Sequence, residues 1–333
     1  MPTLSVVIPV FNEKENLRPL LSRLLPVLEQ TASGSFEIVF VDDGSFDGSA
    51  AMLDVLHDGE SRVKVIHFSR NFGHQAALQA GLEAGRGDGI VLMDADLQDP
   101  PELLPRLLDS WRQGFEVVYA IRRHRKENLL KRLAYAVFYR SLRAIAEIEV
   151  PLDSGDFCLL DRRVVDVLAA MPERGRFLRG LRTWVGFRQT GVEYERDARN
   201  AGTPKYTLRK LLHLALSGYV GFSAAPLRLA AWLGMASAAT GFAIAVWVAI
   251  AKLMGIATPW GWASTVAIML FIGGVQMLIL GIVGEYLSRM YDEVRGRPLY
   301  VISNRVGFVS ESRPARIHAR TEVSQPADAT GLR

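Results

Sequence analysis

Two aspartates separated by one residue, Asp94 and Asp96, have the type and spacing that could bind a metal ion. They follow an apolar run at residues 90–93, and side chains two apart along a strand point the same way, about 7 Å from each other. Two carboxylates there repel each other unless a cation lies between them. Hard oxygen ligands suit Mg²⁺ or Mn²⁺, and Gln98 offers a neutral third oxygen. An isolated pair is more typical of a solvated turn, but its place beside other polar clusters favours a metal site.

Other acidic positions have competing explanations. Asp42 and Asp43 follow a second apolar run, where Asp before Gly is typical of a turn. A carboxylate at a strand end also accepts hydrogen bonds from a base N–H or a ribose hydroxyl, and we favour this role for Asp42 more than for Asp43. Asp99 begins an Asp-Pro-Pro-Glu helix start, where an N-cap role explains it without chemistry. His74 and His213 are interpreted as packing or surface histidines.

The elements that must position these residues can be recognised from further apolar runs. Strand-like runs rich in β-branched residues begin about 26 to 32 residues apart, with helical periodicity between them, as in the leucines of residues 17–28. This alternation predicts an α/β, Rossmann-like nucleotide-binding domain with a mainly parallel sheet, whose ligands bind beyond the carboxyl ends of the strands. No GxGxxG or GxxxxGK[ST] element follows a strand, which excludes a dinucleotide fingerprint and a P-loop. The predicted strands are residues 4–10, 36–41, 63–68, 89–93 and 115–121.

The composition of the whole chain averages two unlike parts. Of the 333 residues, 49% are hydrophobic and 22% are charged, and the mean hydropathy is +0.14. These values exclude a disordered or collagen-like chain, and the single cysteine, Cys158, excludes an intrachain disulfide. The apolar residues concentrate at residues 229–251 and 253–284, which contain no Asp, Glu, Lys or Arg. Each run exceeds the ~20 residues that a helix needs to cross a bilayer.

These two runs predict a C-terminal hairpin of two transmembrane helices, at about residues 229–252 and 262–286. Trp260 and Trp262 in the connector suit a membrane interface. Lys and Arg flank the outer ends of the hairpin, whereas the connector after Lys252 has none, so both chain ends and the first two thirds should be cytoplasmic. Small residues of the second run offer surfaces for a homo-oligomer: Gly273, Gly274, Gly281 and Gly284.

Positive charge concentrates near the membrane segments. Residues 122–132 contain six Lys or Arg against one Glu, six minus one giving +5, and apolar positions at helical spacing follow. We interpret this as a basic amphipathic helix on anionic lipid, an ordinary surface helix being the alternative. Contact with a membrane also explains the net charge of +4 better than nucleic-acid binding does, because the positive charge clusters beside the predicted membrane segments. The predicted parts are a cytoplasmic catalytic domain (1–204), an interfacial helix (205–227), the hairpin (228–288), a membrane-proximal segment (289–309) and a disordered tail (310–333).

Four polar clusters follow the predicted strands in the order of a known family. They are Val-Val-Ile-Pro-Val-Phe-Asn-Glu at residues 6–13, Val-Asp-Asp-Gly-Ser at 41–45, Ser-Arg-Asn-Phe-Gly-His-Gln at 69–75 and Met-Asp-Ala-Asp-Leu-Gln-Asp-Pro-Pro at 93–101. Together they resemble the GT-A glycosyltransferases of family 2. Over residues 4–300 the chain resembles the polyprenyl-phosphate glycosyltransferases, which include dolichyl-phosphate mannose synthases and bactoprenol glucosyltransferases. The two C-terminal spans match the bactoprenol branch.

The resemblance implies a nucleotide-sugar donor. Asp94 and Asp96, with Gln98, would bind Mg²⁺ or Mn²⁺ on the diphosphate. The family also has an Arg-rich strand followed by a Gly-x-Ser-Lys-Tyr element near the phosphates, in which Pro204 here replaces the serine and Thr203 is a candidate substitute. The residues implied to bind the nucleotide-sugar are Pro9, Asn12, Glu13, Asp42, Asp43, Asp94, Arg196, Arg199 and Lys205.

The resemblance also implies an acceptor side. Residues 154–157, Ser-Gly-Asp-Phe, match the family's acceptor-side motif, which makes Asp156 the candidate catalytic or orienting carboxylate beside Asp96. Residues implied to bind the acceptor phosphate are Arg122, Arg125 and Ser154. A polyprenyl phosphate carries a charge of about −1.5 to −2 at neutral pH, so its oxygen is an adequate nucleophile without a strong base. Direct displacement would invert the anomeric carbon.

The expected function is transfer of a single hexose, from UDP-glucose, to undecaprenyl phosphate on the cytoplasmic face of a bacterial membrane. Alternative donors are GDP-mannose, a UDP-N-acetylhexosamine and a UDP-aminoarabinose derivative. A processive polysaccharide synthase is disfavoured because it needs more spans and because the QxxRW-type element is absent. A non-catalytic membrane scaffold is disfavoured because the acidic clusters are intact.

Overall fold

The apolar runs of the first half of the chain form strands where the sequence predicts them. A computed structural model describes residues 3–32, 35–122, 154–174, 176–194, 225–254 and 261–308. The first five strands agree with the predicted ones to within two residues, whereas the last three were not predicted from apolar runs. The strands are β1 (Leu4–Val10), β2 (Phe36–Asp42), β3 (Val63–Phe68), β4 (Gly89–Leu92), β5 (Val117–Arg122), β6 (Ser154–Asp161), β7 (Gln189–Tyr194) and β8 (Ile302–Val306).

Helices connect these strands and extend the chain beyond them. A single 3₁₀ turn, Pro101–Leu103, precedes the fourth helix. The helices are α1 (Lys14–Ala32), α2 (Ser49–Gly59), α3 (His74–Ala84), α4 (Leu104–Arg112), α5 (Arg162–Ala170), α6 (Leu178–Trp184), α7 (Ala225–Leu253) and α8 (Trp262–Val294).

The eight strands form one sheet in the order β7-β5-β6-β4-β1-β2-β3-β8. Four of the seven neighbouring pairs are parallel, and the antiparallel pairs are β3·β8, β4·β6 and β5·β6. Six strands therefore run in one direction, while β6 and β8 run in the other. The mainly parallel α/β sheet is confirmed, with two antiparallel insertions that the sequence did not indicate.

Two hydrophobic cores cover the two faces of this sheet. On one face, side chains of β1 and β2 pack with leucines of α1 and α4. On the other face, side chains of β1, β3 and β4 pack with α3, α5 and α6. Burial on both faces explains why the strand sequences are continuous apolar runs rather than alternating ones. The sheet is thereby held firmly enough to fix the positions of the loops at its edges.

Helices α7 and α8 differ from the rest because their apolar side chains are exposed. Trp232, Phe242, Phe271 and Met277 each expose 67% or more of their surface. Within the described residues, one segment, Phe271–Val294 of α8, is long and apolar enough to cross a membrane, and α7 contains a shorter apolar stretch, Ala230–Ile244. The predicted spans thus fall on two helices, and among the described residues one continuous segment of α8 has the length and composition of a span.

The chain returns to the α/β domain after α8. β8 pairs antiparallel with β3 at the edge of the sheet, and the Ser69 N–H donates to the Val301 carbonyl at 2.9 Å. Arg174 binds the end of α8, since its N–H donates to Glu293 Oε1 at 2.8 Å and its Nη1 to the Asp292 carbonyl at 2.7 Å. The end of α8 and the segment that follows it are therefore attached to the α/β domain through a strand and an arginine.

Several predictions concern parts of the chain outside the described residues. These are the basic amphipathic helix after Arg122, most of the interfacial helix, the tryptophan-containing connector and the C-terminal tail. The predicted domain boundaries consequently stay predictions.

Candidate active site

One edge of the sheet gathers the polar residues that the sequence singled out. The carboxyl ends of β1, β2, β3, β4, β5 and β7 all lie at this edge because these strands run in the same direction. β6 runs in the opposite direction, so its first residues, Ser154 to Asp156, lie at the same edge. The antiparallel β6 thus brings the predicted acceptor-side motif next to the loops that are predicted to bind the donor. Ligand sites at such an edge are typical of open α/β sheets.

The loops after β1 and β2 are cross-linked by Asn12. Asn12 adopts a positive φ of 55°, an uncommon conformation for a residue other than glycine. Its N–H donates to Ser45 Oγ at 3.0 Å, and its Oδ1 accepts from the Phe46 N–H at 3.0 Å. The Phe46 ring exposes 83% of its surface and lies edge-on to Phe11, 5.9 Å between centroids. This exposed aromatic pair beside Asn12 was not anticipated from the sequence.

Asp43 holds the loop after β3 against the loop after β2. Its two carboxylate oxygens accept from the N–H groups of Phe72 and Gly73, at 2.6 and 2.9 Å. Burial raises the pKa of Asp43 above its usual value, although these two hydrogen bonds oppose the shift. Gly44 has φ +70°, and a Cβ there would lie 2.5 Å from the carbonyl carbon of Arg70. Asp43 and Gly44 thus shape the site, which is the turn role that the sequence left open.

Asp42 is buried beside Asp43 but faces different partners. Its Oδ1 accepts from the Ser45 N–H at 3.0 Å, its Oδ2 lies 3.0 Å from His67 Nδ1, and its side chain is 4% exposed. Glu13 Oε2 accepts from Asn16 Nδ2 at 2.6 Å. The Glu13 N–H donates to Ser49 Oγ at 3.1 Å, so Asn12, Glu13 and Asp42 lie on loops that contact each other, and Pro9 is buried within β1.

The Asp94–Asp96 pair lies in a turn, which corrects the strand geometry assumed from the sequence. β4 ends at Leu92, and Leu97 has a positive φ of 61°. Asp96 is buried, and its Oδ1 accepts from the Gln98 N–H at 3.1 Å, whereas the Asp94 side chain is 29% exposed. The two carboxylates are thus oriented by a turn rather than by strand alternation.

Asp99 has a different role from the N-cap predicted for it. The residue before the 3₁₀ turn is Pro100, without a side-chain cap, and Asp99 is fully buried. The Tyr194 hydroxyl donates to Asp99 Oδ1 at 2.5 Å. Burial raises the pKa of Asp94 to about 6, and the charges of Asp99, Asp156 and Asp96 add to this effect. The N-cap interpretation is wrong, because the Asp99 side chain is buried and binds Tyr194 of β7 instead of capping the turn.

His74 links the two sides of the site, although the sequence suggested only packing. Its Nε2 lies 3.8 Å from Asp94 Oδ1 and 3.4 Å from Asp156 Oδ2. Burial alone lowers the pKa of His74, but the carboxylates of Asp156 and Asp94 outweigh it and the net shift is upward. One imidazole therefore lies between the predicted donor-side and acceptor-side carboxylates.

Arg179 binds Asp156 and was missed by the sequence reasoning. Its Nε and Nη2 donate to the two oxygens of Asp156 at 2.7 and 3.0 Å, a bidentate pair. Burial alone would raise the pKa of Asp156, but the hydrogen bonds from His74 and Arg179 outweigh it and hold the pKa far below its usual value. The available signal was the spacing of Arg179 and Arg182, which lie three apart on one face of α6, and Arg182 Nη1 likewise donates to the start of β6, to the Gly155 carbonyl at 3.2 Å.

The described residues contain no group of three His, Cys, Asp or Glu side chains that could hold a metal by themselves. Asp94 and Asp96 still suit a divalent ion, because burial and then the charges of neighbouring carboxylates raise the pKa of Asp94, and a cation would offset both effects. Mg²⁺ typically takes one or two carboxylates and completes its shell with water and phosphate oxygens. The donor set therefore fits a metal that is bound together with a diphosphate.

The other predicted acceptor residues lie partly within the described structure. Arg122 ends β5 and Ser154 begins β6, at the same edge as Asp156, and Ile121 pairs with Ser154. Arg125, Arg196, Arg199 and Lys205 lie outside the described residues.

Comparisons with known proteins agree with this arrangement. Residues 5–168 match glycosyl transferase family 2, and residues 225–290 match the GtrB C-terminal hairpin. The uncharacterized glycosyltransferase YkcC of Bacillus subtilis is 45% identical over 305 residues, which cover 91% of this chain and 94% of that protein. A prophage bactoprenol glucosyl transferase homolog of Escherichia coli is 38% identical over 300 residues, covering 90% and 98%. The bactoprenol glucosyl transferase of Shigella phage SfX is 37% identical over 303 residues, covering 91% and 99%.

These similarities extend through both parts of the chain. The family 2 match includes the strand ends that form the site, and the hairpin match includes α7 and most of α8. The exposed apolar helices and the hairpin match together indicate membrane association. Because relatives well above 30% identity align over nearly their whole length, the chain belongs to glycosyl transferase family 2 and is a glycosyltransferase with a GT-A fold and a C-terminal hairpin.

Proposed function

We propose that this enzyme transfers one hexose from a nucleotide-sugar, UDP-glucose, to a polyprenyl phosphate such as undecaprenyl phosphate. The names of the Escherichia coli and phage relatives support both the lipid acceptor and the glucosyl group. The observation that carries the proposal is the meeting of Asp94 and Asp156 on one sheet edge, with His74 between them. A water-soluble donor and a bilayer acceptor would both reach this edge.

The membrane location follows from the same combination. We expect both α7 and α8 to span the bacterial cytoplasmic membrane, with the catalytic domain and both chain ends in the cytoplasm. The contacts of β8 with β3 and of Arg174 with the end of α8 support this, because they keep the site close to the hairpin. A homo-oligomer formed through the small residues of α8 is also expected.

The charges of the site indicate how the residues share the reaction. Asp94 and Asp96, with Gln98, would hold Mg²⁺ or Mn²⁺, which supplies positive charge to the departing diphosphate. Asp156 stays ionised because Arg179 and His74 bind it, so its role is to orient groups rather than to remove a proton. The phosphate acceptor brings its own negative oxygen and needs no strong base. Direct attack by that oxygen would invert the anomeric carbon.

A reconstituted transfer reaction tests this proposal. The full chain in phospholipid vesicles, supplied with undecaprenyl phosphate, Mg²⁺ and labelled UDP-glucose, should form a labelled lipid carrying one hexose. Asp96→Asn should lower turnover at least about 100-fold, since even groups that only orient a metal ligand change activity by about 10- to 100-fold. The control Asp109→Asn, at an exposed position on α4, should retain wild-type turnover.

The same assay distinguishes the alternatives. Replacing UDP-glucose by GDP-mannose, UDP-N-acetylglucosamine or a UDP-aminoarabinose derivative identifies the donor by the largest kcat/KM. Polymeric product would favour the processive synthase, and full turnover by Asp96→Asn would contradict the metal assignment. Failure of every donor, with the nucleotide still bound, would favour the scaffold.

A further inference from the structure

A buried histidine behind the nucleoside side of the site has a charged partner on each ring nitrogen. His67 lies on β3 with 8% of its surface exposed. Its Nδ1 lies 3.0 Å from Asp42 Oδ2, and its Nε2 lies 3.1 Å from Asp54 Oδ1 on α2. The Asp54 side chain is 49% exposed, whereas that of Asp42 is 4% exposed. The three side chains thus form a chain from solvent to the buried carboxylate.

These contacts fix the orientation of Asp42. The Ser45 N–H binds one oxygen of Asp42 at 3.0 Å and His67 binds the other, so rotation of the carboxylate would break two hydrogen bonds. The ring is itself held by Asp54 on the far side. Hydrogen bonds to Asp42 and then to Asp54 raise the pKa of His67, although burial opposes them, and each carboxylate is placed to accept from one ring nitrogen.

The backbone of His67 is also held, by the strand that follows the membrane helices. Ser303 Oγ donates to the His67 carbonyl at 3.1 Å, and His67 is paired with Asn304 in the register of β3 and β8. A shift of His67 along β3 would therefore break its contacts with β8 and with Asp54 of α2. Because the imidazole is fixed, its hydrogen bond in turn fixes the orientation of the Asp42 carboxylate.

We propose that His67 is a positioning residue for the donor: it holds the Asp42 carboxylate in the orientation that accepts a hydrogen bond from the nucleoside, and Asp54 fixes the imidazole. This inference rests on the proposed function, because it assumes that Asp42 contacts the base or ribose of a nucleotide-sugar. His67 itself touches no substrate. Its removal should weaken binding of the nucleoside part and leave binding of the diphosphate part unchanged.

The test measures binding of two probes to the full chain in detergent, UDP with Mg²⁺ and inorganic pyrophosphate with Mg²⁺. His67→Leu removes the donor and should raise the Kd of UDP about 10-fold, as expected for the loss of about 1.4 kcal/mol. The Kd of pyrophosphate should stay at the wild-type value. In the transfer assay, KM for the donor should rise while kcat at saturating donor is unchanged, the result expected when binding alone is lost.

Conservative variants separate positioning from simple structural support. His67→Asn places an amide N–H near the position of Nδ1 and should recover most of the UDP affinity. His67→Gln places its amide nearer Nε2 and should recover less. His57→Leu is the matched control: His57 Nδ1 binds the backbone carbonyl of Val63 rather than a carboxylate of the site, so the substitution should leave both Kd values unchanged.

Each outcome bears on the inference. Wild-type UDP affinity in His67→Leu, with weakened UDP binding in Asp42→Asn, would overturn it while leaving the proposed function intact. Equal weakening of UDP and pyrophosphate would also overturn it. If His67→Leu does not fold, Asp54→Ala at its half-exposed position replaces it, with an expected two- to threefold rise in the Kd of UDP. Failure of the wild-type enzyme to transfer any sugar would instead contradict the proposed function.

Discussion

The two ends of the site contain the same residue type in opposite electrostatic situations. At the nucleoside end, Asp43 binds two backbone N–H groups and helps to hold two loops together. At the end predicted to react, Asp156 binds the Arg179 guanidinium and lies 3.4 Å from His74 Nε2, near the carboxylates of Asp94 and Asp96. The difference teaches that an aspartate at this sheet edge either holds loops of the site in place or sets the distribution of charge in the site. The groups that donate hydrogen bonds to the aspartate determine which role it has.

The largest effect should follow a change of charge at the reacting end. Asp156→Asn should lower kcat by about 10²–10³-fold, because the orienting carboxylate and its pairing with Arg179 are lost where charge develops. Arg179→Gln should lower kcat similarly and Arg179→Lys less, since lysine keeps the charge but not the bidentate geometry. Steady-state transfer rates at saturating donor and acceptor measure this.

The control for this comparison is Arg163→Gln, because Arg163 is exposed and binds Asp161 and Glu116 away from the site. It should leave kcat unchanged. Unaltered turnover in Asp156→Asn would show that the acceptor-side carboxylate has no part in the reaction.

An aspartate-to-asparagine substitution at the predicted nucleoside end, Asp43→Asn, should affect stability more than kcat. Asp43→Asn should lower the free energy of unfolding by about 2 kcal/mol, because it weakens charged hydrogen bonds and places an amide N–H opposite backbone donors. Urea denaturation of the detergent-solubilised protein measures this, with Asp58→Asn on the exposed face of α2 as the control. A loss of kcat without a loss of stability would remove the distinction between the two ends.

A smaller effect is expected at Glu37, a buried carboxylate of β2 outside both ends. It accepts from Ser5 Oγ at 2.6 Å and from Lys64 Nζ at 2.5 Å. Burial alone would raise the pKa of Glu37, but these hydrogen bonds outweigh it and lower the pKa below the value of 4.5 expected when unfolded. Its contribution to stability is therefore present above about pH 4.5 and is lost as the pH falls through the lower folded pKa.

Unfolding measured from pH 6 to pH 3 checks this prediction. Lys64→Met should reduce the acid-induced loss of stability, and Lys14→Met at an exposed position should not. An unchanged pH profile in Lys64→Met would mean that the Ser5 hydroxyl and the Arg86 N–H stabilise the Glu37 carboxylate without help from Lys64.

Sequence patterns predicted the first five strands because burial on both sheet faces requires continuous apolar runs, which are visible in the chain. They also placed Asp42 and Asp94 at strand ends, whereas Asp156 was implied only by the family motif and lies in β6, a strand that the apolar runs did not predict. They failed for Asp99, where Asp-Pro-Pro-Glu has the composition of a helix start but the carboxylate is buried against Tyr194, 95 residues away in sequence. Local composition does not show which long-range partner competes for a side chain.

The sequence by itself determined the fold class, the apolar hairpin and the order of acidic clusters, because these depend on hydrophobic periodicity and on local spacing. Only the tertiary structure decided that β6 runs antiparallel and so brings Asp156 to the donor side, that His74 lies between Asp94 and Asp156, and that Arg179 and His67 support the two ends. Strand direction and long-range pairing arise from how the whole sheet packs, and hydrogen bonds between residues far apart in the chain leave no local pattern.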